Sequence, residues 1–139
     1  MKLQEEDRKI LINLRLNNAK ITLEEVIFLV QNGKWRTAAN RLYYACYYAV
    51  GALLVCYEIT ARTHTGVINQ LGLHFVTKGL ISVEQGKFYR SLFYLRQSGD
   101  YDDWFEIKDT DILPRLEPAK KFIETIEKLI QEKDIENSK

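Results

Sequence analysis

The sequence has few residues that break helices and no excess of charge of either sign. Its 139 residues include two prolines and seven glycines, so helices can run long with short connections between them. The formal net charge is +1, because 20 lysines and arginines are interleaved with 19 aspartates and glutamates. A domain dedicated to duplex nucleic acid usually has a strongly basic face. Any contact with a nucleotide or RNA is therefore expected to be local.

Long hydrophobic runs and a disulfide framework are also missing. The longest apolar run, residues 42–57, is shorter than the about 20 residues of a membrane span, and MKLQEEDRK at the start contains no apolar segment typical of a signal peptide. Cys46 and Cys56 would lie about 15 Å apart on one helix, too far for a disulfide. These absences predict a cytoplasmic protein without membrane contact, whose cysteines are reduced and buried.

Motifs of the common enzyme classes and of bound cofactors are absent. There is no GxGxxG, no P-loop, no HExxH and no Ser-His-Asp pattern. The two histidines, His64 and His74, have no Cys, Asp or Glu at the spacing of a zinc site. We therefore expect neither a metal nor a cofactor.

Hydrophobic periodicity predicts an all-α fold in a single domain covering residues 1–139, with a frayed tail from about 134. Five helices are expected, over residues 5–32, 35–57, about 65–78, 83–98, and from Asp109 or Asp111 onward. The first is predicted from apolar residues at helical spacing: Ile10, Leu14, Ile21, Val26, Leu29 and Val30.

Local signals predict the helix ends. Asn32-Gly33 is a typical stop, Thr63 or Thr65 can cap the third helix, and Ser82 to Gln85 has the form of a capping box. The fourth helix is expected to stop near Ser98-Gly99, before a polar and aromatic loop over residues 100–108. Pro114 is tolerated in the first turn of the last helix, whereas Pro118 is expected to kink it or delay its regular start.

The predicted second helix carries a polar pair and a group of tyrosines. Tyr43, Tyr44, Tyr47 and Tyr48 form two i,i+4 pairs that suit either an aromatic core or a stacking platform for bases. Asn40-Arg41 lies one turn before them and must be hydrogen-bonded if it is buried. It is either an interhelical contact or part of a polar cleft.

Two other segments carry side chains suited to anions. His64 lies at a predicted helix start, where it can bind an anion, act as an acid or base, or simply cap the helix. Arg96, Asp100 and Tyr101 follow one another at a helix end. They form either a closing ion pair or a site for phosphate recognition or phosphodiester chemistry.

Three segments in this order resemble the HEPN domain superfamily, in particular the small bacterial and archaeal UPF0332-type proteins. They are Ala38-Ala39-Asn40-Arg41-Leu42-Tyr43-Tyr44-Ala45, then Thr63-His64-Thr65-Gly66, then Leu95-Arg96 through Asp100-Tyr101. The likeness covers residues 5–132. It implies an up-and-down helical bundle with an extra helix, a homodimer, and a minimal nucleotidyltransferase as partner in a toxin–antitoxin pair.

The resemblance also implies two kinds of site. Many relatives are metal-independent endoribonucleases that use an Arg followed, after four to six residues, by a His; in one branch a following Tyr is modified with AMP. Here Arg96 is followed by Asp100-Tyr101 instead. An aspartate replaces an imidazole in proton transfer only if its pKa is strongly raised, so the catalytic residues are left open among Arg96, Asp100 and His64.

Three hypotheses follow. The first is a subunit without strong catalysis that binds a nucleotide or RNA: Arg96 holds phosphate with Asp100 orienting it, and Tyr101 covers the site and is the candidate AMP acceptor. Asn40, Arg41, Tyr44 and His64 complete this predicted binding site. The second is a ribonuclease toxin in which His64 folds close to Arg96. The third is a structural dimerisation module, for which dispersed, buried positions of these residues are expected.

Overall fold

The computed structural model describes residues 3–138, with side chains up to residue 134 and at 136, and this part of the chain contains helices and no strand. The predicted all-α fold is thus confirmed. No helix in it is long and apolar enough to cross a membrane. The elements are α1 (Glu5–Gln31), α2 (Trp35–Cys56), α3 (His64–Leu71), a π-helical turn (Gly72–Val76), α4 (Val83–Tyr101) and α5 (Asp109–Ser138).

Helix α2 is the centre of the bundle. Twelve of its side chains are buried, and α1, α4 and α5 all pack against it. Small residues such as Ala38, Ala45, Ala49 and Ala52, all fully buried, allow this close approach. Cys46 and Cys56 are buried free thiols, and burial raises the pKa of both.

The predicted helix starts are largely confirmed. The Thr63 hydroxyl accepts a hydrogen bond from the Gly66 amide and caps α3, so Thr63 rather than Thr65 is the cap. Ser82 and Gln85 form the predicted capping box. Gly33 lies in the turn between α1 and α2 with φ +66°, a conformation that glycine adopts without strain.

Two helix ends differ from the sequence-based expectation. Helix α4 does not stop at Ser98-Gly99 but continues to Tyr101, because Gly99 serves close packing: a Cβ there would lie 2.3 Å from Ile107 Cδ1. Helix α3 ends at Leu71 and passes into the π-helical turn.

Helix α5 starts at Asp109 as expected and includes both Pro114 and Pro118, so Pro114 lies in its second turn rather than its first. Pro118 does not delay the helix. The expected tail from residue 134 is helical as far as Ser138, and residue 139 lies outside the described residues.

The buried face of α1 also differs from the expected one. Its core residues are Ile12, Leu16, Ala19, Thr22 and Val26. Three residues that indicated the helix, Ile10, Leu14 and Ile21, are 61%, 54% and 46% exposed. They lie opposite the buried face because α1 is apolar on two sides, and periodicity alone does not tell which side faces the core.

Candidate functional site

Four polar side chains from α2 and α4 form one connected network. Arg96 Nε lies 3.0 Å from Asp100 Oδ2, one helical turn later on α4. The same carboxylate oxygen accepts a 3.1 Å hydrogen bond from Asn40 Nδ2 on α2. Asn40 Oδ1 in turn accepts bonds from Arg41 Nε and Nη2, at 3.1 and 2.9 Å. The network therefore runs from one guanidinium group to another through an amide and a carboxylate.

The contact between Arg96 and Asp100 is an ion pair rather than a regular hydrogen bond. Arg96 Nε is buried and its N–H is not directed at an acceptor with regular geometry. The two side chains are 14% and 24% exposed. Since the network contains two guanidinium groups and one carboxylate, it keeps an excess of positive charge.

Aromatic rings cover both guanidinium groups. The Arg96 guanidinium carbon lies 5.4 Å from the Tyr44 ring centre and 5.6 Å from that of Tyr101. The Arg41 carbon lies 5.1 Å from the same Tyr44 ring. Tyr101 is 72% exposed, so its hydroxyl is accessible at the end of α4. We call Asn40, Arg41, Tyr44, Arg96, Asp100 and Tyr101 the Arg96 cluster.

His64 lies beside this cluster, on the first turn of α3. Its Nδ1 is 2.6 Å from the Tyr43 hydroxyl, and its ring packs 4.7 Å from the ring of Tyr47. The Tyr44 ring contacts both His64 and Arg96. Burial and then the nearby Arg96 charge lower the pKa of His64, whereas burial is the main cause that raises the pKa of Tyr43 to about 12. At neutral pH both groups are therefore uncharged.

All the predicted site residues meet at one end of the bundle, where the start of α2, the start of α3 and the end of α4 come together. One contributor was not predicted as a site residue: Tyr43, which the sequence left as either core or stacking surface, bonds His64. Its position three residues after Asn40 was a signal for a shared helix face. The described part of the chain contains no group of three or more His, Cys, Asp or Glu side chains placed to hold a metal.

The cluster suits recognition of a planar or phosphorylated ligand. Guanidinium groups bind phosphate through charge-assisted hydrogen bonds, and tyrosine rings stack on nucleobases with little sequence preference. The side chain best suited to proton transfer near neutral pH is His64.

Several known proteins are similar to this chain in sequence. The family profile of the HEPN domain matches residues 12–136. A UPF0332 protein of Thermotoga maritima is 34% identical over 114 residues, covering 82% of this chain and 86% of the relative. Two proteins of Methanocaldococcus jannaschii, named "Putative toxin MJ0605" and "Putative toxin MJ0142", are 31% and 28% identical over 116 and 120 residues, covering 82% and 86% of this chain and 84% and 82% of the relatives.

The match to the HEPN profile covers α2, α3 and α4, which build the site, together with most of α1 and α5. The relative from Thermotoga maritima is similar over most of both chains. The chain therefore belongs to the HEPN domain family, and within it to the UPF0332-type proteins.

Proposed function

We propose that this protein is a HEPN-type subunit that binds a nucleotide or RNA through the Arg96 cluster, without strong catalysis of its own. The observation that carries the proposal is the convergence of Arg96, Asp100, Asn40 and Arg41 in one network beneath accessible tyrosine rings. In this proposal Arg96 holds a phosphate, Asp100 orients its guanidinium group, and Tyr101 covers the ligand. Convergence also counts against a purely structural module, for which dispersed positions were expected.

The proposal predicts that Arg41→Ala weakens binding of a fluorescein-labelled eight-nucleotide single-stranded RNA by roughly 2- to 5-fold. Arg41 is half-buried, and charge contacts open to water contribute about 1 kcal/mol or less. Fluorescence anisotropy at fixed salt measures the dissociation constant. Arg90→Ala is the matched control, because it removes the same charge from an exposed position on α4 outside the cluster. Equal losses in the two variants, or no binding by the parent protein, would contradict the proposal.

We further propose a toxin–antitoxin setting with a minimal nucleotidyltransferase as partner. One support is that the two relatives from Methanocaldococcus jannaschii are named as toxins. The other is the resemblance of Arg96 through Tyr101 to the branch in which a tyrosine accepts AMP. In that reaction the Tyr101 oxygen attacks the α-phosphorus of ATP, pyrophosphate leaves, and the phenol proton passes to a base or to water. The exposure of Tyr101 allows a partner enzyme to reach it.

Tyr101→Phe is expected to abolish that modification while keeping the fold. Coexpression with the partner transferase, followed by intact-protein mass spectrometry, should show one added AMP on the parent protein and none on the variant. The fold is checked by circular dichroism. An adduct that persists on the variant would assign the modification to another residue.

A ribonuclease that uses His64 is the second candidate. It is favoured by one observation: His64 and Arg96 contact the same two rings, Tyr43 and Tyr44, so an imidazole lies close to the guanidinium group. A neutral imidazole at pH 7 suits a general base if the nitrogen facing the substrate is unprotonated.

We also propose a homodimer. The sequence suggests the aromatic α2 and the end of α4 as its surface, because they carry more apolar side chains than a small bundle needs to bury, whereas the exposed face of α1 supports a different surface. The apolar residues of α2 are largely buried inside one chain, whereas four apolar side chains on the outer face of α1, and Leu3 just before the helix, are exposed. They lie 7, 4, 7 and 7 residues apart along one stripe: Leu3, Ile10, Leu14, Ile21 and Phe28. Exposed apolar patches of several hundred Å² commonly mark interaction sites, and a two-fold dimer brings one such patch against itself.

The homodimer predicts twice the protomer mass of 16.3 kDa in light scattering at micromolar concentration. Leu14→Glu with Ile21→Glu should convert it to a folded monomer, because the charges would be buried unpaired in the interface. A parent protein that scatters as a monomer would contradict the dimer. A dimer that survives both substitutions would place its interface elsewhere.

A further inference from the structure

The ring of His64 has two nitrogens, and the structure assigns a partner to one of them. Nδ1 lies 2.6 Å from the Tyr43 hydroxyl. The ring is held in place by Tyr43, Tyr44, Tyr47 and Phe93, whose ring centres lie between 4.7 and 6.3 Å from its own. With its position fixed, the chemistry of His64 toward a ligand depends on which nitrogen carries the proton in the neutral ring.

The direction of the bond between Tyr43 and His64 follows from the burial of Tyr43. The Tyr43 side chain is 0% exposed, and among the described residues its hydroxyl has a hydrogen bond to His64 Nδ1 alone. The Tyr89 ring stacks on Tyr43 at 5.8 Å, but the Tyr89 hydroxyl has no hydrogen bond to any described residue. A buried hydroxyl proton left without an acceptor costs about 1–3 kcal/mol.

Only one direction gives the Tyr43 proton an acceptor. If Tyr43 donates to His64 Nδ1, the phenol proton is satisfied. In the opposite direction His64 Nδ1–H donates to the Tyr43 oxygen, and the Tyr43 proton is left buried without an acceptor among the described residues. Burial is the main cause that raises the pKa of Tyr43 to about 12, so the phenol keeps its proton at neutral pH and acts as the donor.

We infer that Tyr43 is a positioning residue that fixes neutral His64 with its proton on Nε2, so that His64 presents a hydrogen-bond donor to the ligand. The identity of that ligand, a phosphate group held by the Arg96 cluster, rests on the proposed function. The titratable groups facing His64 are Tyr43, Tyr44 and Tyr47 on α2 and Arg96 on α4. Burial and Arg96 both lower the pKa of His64, which keeps the ring neutral.

This tautomer separates the two candidate functions. A general base must turn an unprotonated nitrogen toward the nucleophile. With Nδ1 engaged by Tyr43 and a proton on Nε2, His64 has no free base, and it acts instead as a neutral donor toward phosphate oxygens, as a neutral imidazole can toward a polarised carbonyl. The hydrogen bond from Tyr43 therefore favours ligand binding over ribonuclease catalysis by His64.

The test is nitrogen-15 NMR of the ligand-free protein, which reports the tautomer of each histidine directly. The chain has two histidines, so His74, which lies outside the site, is an internal reference. We expect His64 to be at least about 90% in the Nε2–H form at pH 8. Tyr43→Phe should shift the ratio toward that of a free imidazole.

Tyr47→Phe is the matched control, since it also removes a phenol hydroxyl from a ring packed on His64 but makes no hydrogen bond to it. It should leave the tautomer ratio unchanged. An Nδ1–H form in the parent protein would overturn the inference even if the Tyr43→Phe variant failed to fold. So would an equal response of the Tyr43 and Tyr47 variants.

The ligand half of the inference is tested with the labelled single-stranded RNA. His64→Gln retains an N–H at the position of Nε2, whereas His64→Asn has its amide at the position of Nδ1. Binding should stay within about threefold for glutamine and fall roughly 10-fold for asparagine. Equal losses would overturn the donor role. If the parent protein does not bind RNA, the proposed function and the ligand assignment fail together. The NMR result still decides the tautomer of His64.

Discussion

Replacing Arg96 with alanine is expected to weaken binding of short single-stranded RNA or AMP by about 10- to 100-fold. Hydrogen bonds to charged groups contribute about 1.5–3 kcal/mol, and 1.4 kcal/mol corresponds to a tenfold change in affinity. The effect should exceed that of Arg41→Ala because the Arg96 side chain is 14% exposed and is therefore less screened by water. Fluorescence anisotropy measures the affinity, and circular dichroism and thermal unfolding check the fold.

The fold should survive this substitution. Asp100, which loses its ion-pair partner, is 24% exposed and keeps its hydrogen bond from Asn40 Nδ2, so its charge stays partly solvated. Arg96→Lys provides a matched comparison: it keeps the positive charge but loses the planar donor group, and should recover only part of the affinity. If Arg96→Ala unfolds the protein, and binding is absent in both parent and variant, the cluster is structural and the dimerisation module is the better hypothesis.

The sequence grouped the candidate site residues because their spacing follows the helix period. Asn40 and Tyr44 are one turn apart on α2, and Arg96 and Asp100 are one turn apart on α4, so each pair shares a face once the helices are known. That α2 and α4 turn these faces toward each other was supplied by the resemblance of the three segments, not by periodicity. The Asn40–Asp100 bond spans 60 residues, and no local pattern specifies such a contact.

The hydrogen bond between Tyr43 and His64 could not be predicted from the sequence. Tyr43 is one of four tyrosines that sequence reasoning treated alike, and only the packed structure separates the one that meets His64 Nδ1. The end of α4 was misplaced for a similar reason. Gly99 has the sequence character of a helix stop, but it lies inside the helix because Ile107 fills the space that a side chain would need.

Helix α1 shows a further limit of periodicity. Its apolar residues lie on two opposite faces, so the pattern specified a helix but not its inward side. The core uses the face of Ile12, Leu16 and Val26, and leaves Phe28 64% exposed. On α5 five apolar residues at helical spacing share one face, and all of them are buried: Phe122, Ile123, Ile126, Leu129 and Ile130.

Phe122→Ala is expected to lower the free energy of unfolding by about 3–5 kcal/mol, the range for removing a fully buried aromatic ring. Phe122 is 0% exposed and stacks on Tyr89 at 5.6 Å, with the two rings 9° from parallel. Tyr89 in turn stacks on Tyr43, so the cavity opens beneath the row of rings that reaches His64. Chemical denaturation with unchanged m-value measures the loss. The NMR signals of His64 should broaden or shift while those of His74 stay closer to the parent values.

Phe28→Ala is the matched control, since it removes the same ring from the outer face of α1. At a concentration where the protein is monomeric, it should change the free energy of unfolding by no more than about 0.5 kcal/mol, as for other exposed substitutions. In a dimer that buries this face, the loss of stability of the variant relative to the parent should increase with protein concentration. A Phe28 loss as large as that of Phe122 in the monomer would mean that α1 packs with its other face inward. The assignment of the core, and with it the support beneath Tyr43, would then be wrong.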